Sequence, residues 1–424
     1  MLSTLRNAWK VPELKRRFLW TLFLVAIFRM GTHIPVPGIS THHLQNLTGG
    51  NTLFGFYDLL SGGAFSKFSI FALSVTPYIN ASIIMQLLTI AIPSLEQLSK
   101  EGEEGRKKIQ KITRIVSIFI GCVLAFGTYT MVASIGAASG MKATEILVVI
   151  VALVAGSTFC MWLGDQITTK GFGNGISILI FVNIVSQLPM TLMSLFTLKD
   201  QGKITIVEIT LFVIFAILML AGVIFFSLAE RRIPVQYAGK AVGNKVMKGQ
   251  STHIPLSIIG SAVIAIIFAM SVMMFPRTIA TFFPDHNWAV WITTSKYSIF
   301  NEKTWMYPVF YSILTIFFTW FYTQITFKPD EMAENLHKSA GFVPGVRPGE
   351  ATEKYFEKVL TRVSLVGGIF AAILAVLPIL MSNTSLQGIQ FGGTSLLIMV
   401  GVGLDFSRQL DSQLVMRHYQ GFLK

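Results

Sequence analysis

The residues of this 424-residue chain that could carry chemistry are few, and their spacing limits what they could do. Gly171-Phe172-Gly173-Asn174-Gly175 is the segment nearest to a phosphate-binding loop, in which backbone N–H groups would cradle an anion. It lacks the GxGxxG spacing and joins two apolar runs rather than a strand to a helix, so a tight turn is the better account. No nucleophile motif, Walker loop or HExxH is present. The two cysteines, Cys122 and Cys160, both lie inside apolar runs, which leaves neither a disulfide framework nor a Cys/His metal spacing. The chain is therefore expected not to be an enzyme, with no catalytic residue, metal or cofactor.

What remains inside the apolar runs is neutral: Asn80, Gln86, Asn183, Gln187 and Gln324, each expected to make a hydrogen bond between helices. Transport coupled to ions or protons normally needs ionisable groups near the bilayer midplane. Here Glu208 lies close to the end of one run and Arg29 near the outer end of the first, so coupled transport is disfavoured. A small-solute transporter is the rival reading, and it requires a polar site at the midplane.

The elements that must position these groups follow from composition. The chain is 52% hydrophobic and 13% charged, about half the charged share of a soluble protein. Its apolar runs approach the roughly 20 residues that cross a hydrocarbon core. Ten spans are expected, at about 18–33, 68–92, 115–135, 146–164, 175–196, 205–228, 255–275, 305–327, 363–381 and 392–410. The first run follows a basic N-terminus, but it has no small-residue cleavage site and is interrupted by Arg29, so it reads as a retained span rather than a signal peptide.

The net charge of +13 then finds a place. Of the 34 basic residues, 26 fall in the N-terminus, the even-numbered connections and the C-terminus, and seven on the other side, which puts both termini in the cytoplasm. Two cytoplasmic connections are long. Residues 229–254 are basic and Gly-rich, and read as a loop nearly devoid of bulky apolar residues; lipid headgroups are one partner they suit. Residues 328–360 surround Gly341-Phe342-Val343-Pro344-Gly345-Val346-Arg347-Pro348-Gly349, whose Pro/Gly punctuation would present Arg347 at a loop tip. Between the first two spans, Thr52 to Gly63 is too short and polar to cross a membrane yet apolar enough to want burial. It fits a re-entrant helix against a cavity, and by composition also an interfacial helix.

Taken together, these segments resemble the SecY family, the central subunit of the bacterial protein-conducting channel. The resemblance covers nearly the whole chain. It rests on Arg29-Met30-Gly31 with Ile34-Pro35-Val36-Pro37-Gly38, Ser61-Gly62-Gly63-Ala64, Ser69-Ile70-Phe71-Ala72-Leu73 before Pro77-Tyr78-Ile79, Met161-Trp162-Leu163-Gly164, Gly173-Asn174-Gly175-Ile176-Ser177-Ile178, Gln250-Ser251-Thr252-His253, the segment around Arg347, and Phe391-Gly392-Gly393-Thr394-Ser395-Leu396-Leu397-Ile398.

The resemblance implies an all-α polytopic membrane protein of the bacterial plasma membrane. Its ten transmembrane helices would form two pseudo-twofold inverted five-helix halves, residues 1–200 and 201–424, around an hourglass pore. It implies a plug at about Thr52 to Ser66 with its hinge at Ser61, Gly62 and Gly63, and a lateral gate mainly between spans 2 and 7, with spans 3 and 8 nearby. The pore ring falls on Ile79, Ile83, Ile176, Ile180, Ile267 and Ile398. Ile79/Ile83 and Ile176/Ile180 are i,i+4 pairs, so each pair points one way from its helix. Branched side chains around a constriction exclude water and ions while offering no hydrogen bond to a passing peptide. Span 7 departs from the family pattern: Val263-Ile264-Ala265-Ile266-Ile267-Phe268 has no proline, and Ile259 replaces a polar position, which would stiffen the gate helix.

The function implied is a passive channel for secretion across, and lateral insertion into, the membrane, carrying signal sequences and unfolded preproteins. Its partners would be the SecE and SecG membrane subunits, the SecA ATPase or a ribosome, and membrane lipids. Arg231, Arg232, Lys240, Lys248 and Arg347 would meet the external motor; basic loops suit rRNA phosphates and acidic protein patches alike.

Overall fold

The computed structural model describes residues 9, 11–39, 58, 61–134, 141–200, 202, 204–237, 241–242, 245–246, 251–260, 262–281, 283, 286–301, 304–381 and 393–422. Among these a helix occupies each of the ten expected places. Spans 1 to 5 are Pro12–Gly31, Thr76–Ala91, Glu103–Ser134, Ala143–Lys170 and Gly175–Asp200. Spans 6 to 10 are Ile206–Leu228, Ala262–Thr281, Met306–Phe327, Glu350–Met381 and Gly393–Phe422. By length and composition six helices among the described residues are fit to cross a membrane, or seven if the bent pair Thr76–Ala91 and Pro93–Lys100 counts as one; Ala262–Arg277 is a shorter apolar helix.

Two prolines delimit span 2, which is shorter than its apolar run suggests. Pro77 sits in the first turn, where a missing N–H costs nothing, and the helix starts at Thr76. Before it, successive turns close from Phe68 N to the Phe65 carbonyl and from Ser74 N to the Phe71 carbonyl, with Phe68 (φ 42°) and Ser74 (φ 47°) left-handed. At the other end Pro93 pushes the preceding residue out of the helical region. Ile92 is accordingly extended (φ −109°, ψ 112°), and the chain turns through 101° into Pro93–Lys100.

The two long basic connections are not separate loops, and beside the helices they form a small sheet. Glu230–Tyr237 (β1) pairs antiparallel with Ser251–Ser257 (β4), and β1 pairs on its other edge with Gly341–Phe342 (β5) through Gln236 opposite Phe342. Ala241–Val242 (β2) and Lys245–Val246 (β3) form a smaller hairpin. The expectation of a 229–254 loop nearly without bulky apolar residues overlooked a short alternation, because Ile233 and Val235 point inward from β1 and Leu256 from β4. They pack with Ala333 and Leu336 of the helix Pro329–Lys338, with Val343, and with Phe356 and Leu360 of span 9. One apolar core therefore joins both connections, and Arg408 of span 10 lies 3.6 Å from Glu230 at the start of β1.

Within the bundle, buried apolar residues gather in three main clusters. Two draw on residues between Leu24 and Ile184, with Ile398 added to one, and the third runs from Val223 to Val400. Large apolar side chains face outward along span 6, among them Val207, Leu211, Leu218 and Phe225. In a membrane such a surface meets acyl chains rather than water. A short helix that the hydropathy pattern did not reveal, Asn287–Thr294, exposes Trp288 and Trp291, residues suited to a membrane–water interface.

Candidate functional site

Span 5 begins at the glycine-rich turn, where four backbone donors that could hold an anion are bonded within the protein. Phe172 N donates to Thr21 Oγ1 (3.0 Å), Gly175 N to Thr168 Oγ1 (2.8 Å), and Ile176 N and Ser177 N to Asn174 Oδ1 (3.1 and 3.3 Å). Asn174 thereby caps span 5. A Cβ on Gly175 would lie 1.9 Å from the Gly164 carbonyl oxygen, so only glycine allows spans 4 and 5 to approach this closely. The motif thus works as a turn that sets where Ile176 and Ile180 emerge.

Those two residues meet side chains from three other spans. Ile180 and Ile398 are buried in one apolar cluster, and Ile79, Ile176 and Ile267 pack against it. Ile83, one turn farther along span 2, lies in the adjoining cluster with Phe268 and Tyr322, which Ile79 and Ile267 also join. All six isoleucines therefore occupy two touching clusters where spans 2, 5, 7 and 10 converge. The second cluster follows the seam between span 2 and spans 7 and 8.

The neutral polar residues lie around this apolar centre, each with a partner on another segment. Across the seam, Ser271 donates toward Asn80 Oδ1 at 3.2 Å, and the Tyr322 hydroxyl donates to Gln86 Oε1. Gln324 donates to Thr361 Oγ1 at 3.0 Å, linking spans 8 and 9. Asn183 donates to Ser74 Oγ at 3.3 Å, and Gln187 to the Asp58 carbonyl at 3.4 Å.

The last two bonds hold the segment between spans 1 and 2. Residues 52–57, 59 and 60 of the expected plug lie outside the described residues, while Asp58 and residues 61–66 are described. Ser61, Gly62 and Gly63 are buried, and the two glycines have φ of +67° and +84°, a region that other residues adopt only at a cost. Gly63 N and Ser61 Oγ donate to the Asp58 carbonyl (2.9 and 3.1 Å), and Ser66 N donates to Asp58 Oδ1 (2.7 Å). Arg29 Nη1 donates to the Gly62 carbonyl at 3.2 Å. Burial pushes the Asp58 carboxyl above its ordinary range, opposed by the hydrogen bonds from Ser66 and the charge of Lys67.

On the small sheet, Arg231 and Arg232 are exposed on β1. Arg347 is exposed between Gly345 (φ +83°) and Gly349 (φ +100°), and its carbonyl accepts from Thr352 Oγ1 at 2.8 Å. Buried Val343 anchors the tip to the sheet. Lys240 and Lys248 lie outside the described residues.

Comparison with known proteins places this geometry among relatives. The SecY family profile matches residues 69–407. The protein translocase subunit SecY of Halalkalibacterium halodurans is 41% identical over 435 residues, covering 100% of both chains. A solved protein-conducting channel superposes with a TM-score of 0.65 at 18% identity, over 95% of this chain and 93% of that one. The Sec61 channel of the canine endoplasmic reticulum, solved with the ribosome, gives 0.60 at 18% identity over 95% and 93%.

Proposed function

The chain belongs to the SecY family and is a Sec protein-translocation channel, and we propose that at rest it is sealed by the isoleucine clusters and by the segment docked beside them. The observation that carries this reading is the meeting of Ile79, Ile176, Ile180, Ile267 and Ile398, from four helices, in one apolar centre. A constriction lined by branched aliphatic side chains is dewetted when narrow and gives a passing chain nothing to bind. The polar groups that a solute site would need are spent between helices, which supports a pore over a transporter.

Residues 1–200 and 201–424 act as the two halves of the channel, a division supported by the separation of the buried clusters. Opening parts them along the seam of spans 2, 7 and 8, releases the plug and admits an extended preprotein, or lets a signal sequence pass to lipid. The channel is passive. SecA or a ribosome supplies the work at the cytoplasmic sheet, where Arg231, Arg232 and Arg347 are exposed, and SecE and SecG complete the membrane assembly. The charge distribution supports cytoplasmic termini in a bacterial plasma membrane.

Ion conductance across planar bilayers tests the seal. The double variant Ile79→Gly, Ile83→Gly should conduct ions at rest, while the parent channel stays closed; an unchanged resting conductance overturns the reading.

A further inference from the structure

We propose that Asn183 and Gln187 of span 5, with Arg29 of span 1, form a polar latch that positions the plug hinge in the resting channel and is broken each time the plug leaves. The inference rests on the channel reading above and adds to it three residues that act on the plug rather than on the pore wall.

Three observations carry it. The first is direct bonding to the hinge and the residue leading into it: Arg29 Nη1 donates to the Gly62 carbonyl at 3.2 Å and Gln187 Nε2 to the Asp58 carbonyl at 3.4 Å. Asn183 Nδ2 holds Ser74 Oγ at 3.3 Å, just before span 2 begins. The second is close fit. A Cβ on Gly62 would stand 2.5 Å from Asn183 Oδ1 and 2.7 Å from Arg29 Nη1, and one on Gly63 would stand 3.2 Å from Gln187 Nε2. The hinge therefore threads closely between the three side chains, and a Cβ on Gly62 would require Asn183 and Arg29 to shift. The third is register. Ile176, Ile180, Asn183 and Gln187 are spaced i, i+4, i+7 and i+11, which places them along one face of span 5. One helix thus presents two ring residues and, one to two turns on, two latch residues.

The chemistry suits a releasable device. Each bond runs from a side-chain donor to an oxygen of the plug backbone or of the turn before span 2, so no bond depends on a plug side chain. Asn183 and Gln187 are buried, so losing these bonds while the plug remains seated would leave polar groups unsatisfied in an apolar interior. Once the plug has left and the pore is wet, water replaces them. The latch therefore favours the closed state by a modest margin rather than locking it.

The test uses the full chain in its purified membrane complex, reconstituted in planar bilayers and vesicles. Asn183→Leu and Gln187→Met keep volume and remove the donors. Each should raise resting ion leak about two- to tenfold, the range expected for one hydrogen bond, and the pair should raise it further. In a second readout, Ala64→Cys places a thiol in a fully buried site of the seat. Its labelling by a membrane-impermeant maleimide should accelerate in the same variants, judged against the chain lacking Ala64→Cys. Unchanged labelling in both variants overturns the latch. Ile180→Gly run in parallel separates the two ideas: a leak from Ile180→Gly with no effect of the donor variants rejects the latch alone. Faster labelling in the donor variants without a leak from Ile180→Gly supports the latch and rejects the isoleucine seal. If Gln187→Met fails to assemble, Gly62→Ala gives the same labelling test, because its Cβ would press on Asn183 and Arg29.

Discussion

The hydroxyl of Tyr322 in span 8 donates to Oε1 of Gln86 in span 2, across the seam along which the two halves would part. A second bond, from Ser271 in span 7 to Asn80 in span 2, crosses the same seam. Between them Ile83 packs with Phe268, so the seam alternates polar and apolar closure.

Removing one of these bonds should make lateral opening easier. Tyr322→Phe leaves the ring packing in place and removes only the hydroxyl, at about 0.5–1.5 kcal/mol of closing free energy. Crosslinking of a signal peptide to span 2 is expected to rise about two- to tenfold. A double cycle with Gln86→Leu should show coupling; independent effects of the two substitutions would mean that the bond does not hold the seam.

Arg347 and Phe356 should separate docking from folding. Arg347 is exposed at its tip, whereas Phe356 is fully buried in the core joining β1, β4 and span 9. Arg347→Glu is expected to slow SecA-driven translocation of a secreted precursor sharply while the protease resistance of the β1–β4–β5 sheet stays at the parent level. Phe356→Ala should cost about 3–5 kcal/mol in that local core and open the sheet to protease. Normal translocation by Arg347→Glu would remove it from the docking surface.

Asp58 predicts a pH dependence of plug seating. Its carboxyl is pushed up in the seated state, chiefly by burial, with Lys67 and the Ser66 bonds opposing and Arg29 held nearby on the Gly62 carbonyl. A raised value in the seated state means that protonation favours seating. That contribution is complete below the ordinary aspartate range, near pH 4, and is lost as pH rises through the raised value. Resting leak should therefore grow as pH rises through that raised value. Asp58→Asn keeps an acceptor for Ser66 N and should abolish the dependence, with a low leak at all pH values; a pH profile identical to that of the parent would refute the role.

Helix positions were legible in the sequence because the signal is local. Runs of apolar residues mark helices, although Pro77 at a first turn and Pro93 at a bend set limits to span 2 that the apolar run from 68 to 92 did not show. The glycine-rich turn was readable as a turn, although the close approach of Gly175 to Gly164 needed the neighbouring helix. Arg347 was readable as a tip because Gly345 and Gly349 flank it. The sheet was not. The alternation of Ile233 and Val235 spans only three residues, and the edge partner of β1 lies about a hundred residues away at Gly341–Phe342, where two residues carry no strand signature.

By itself the sequence determined where the apolar helices lie, how the basic residues divide between alternate connections and which family the chain resembles, since these depend on composition and on motifs read in order. Only the tertiary structure decided that isoleucines from four helices share one centre and that Asn183 and Gln187 hold the segment between spans 1 and 2. The physical reason lies in the partners: an isoleucine in a span reads the same whether it faces lipid or a pore. The acceptors of Gln187 and Arg29 are backbone carbonyls, which every residue has and no residue type announces.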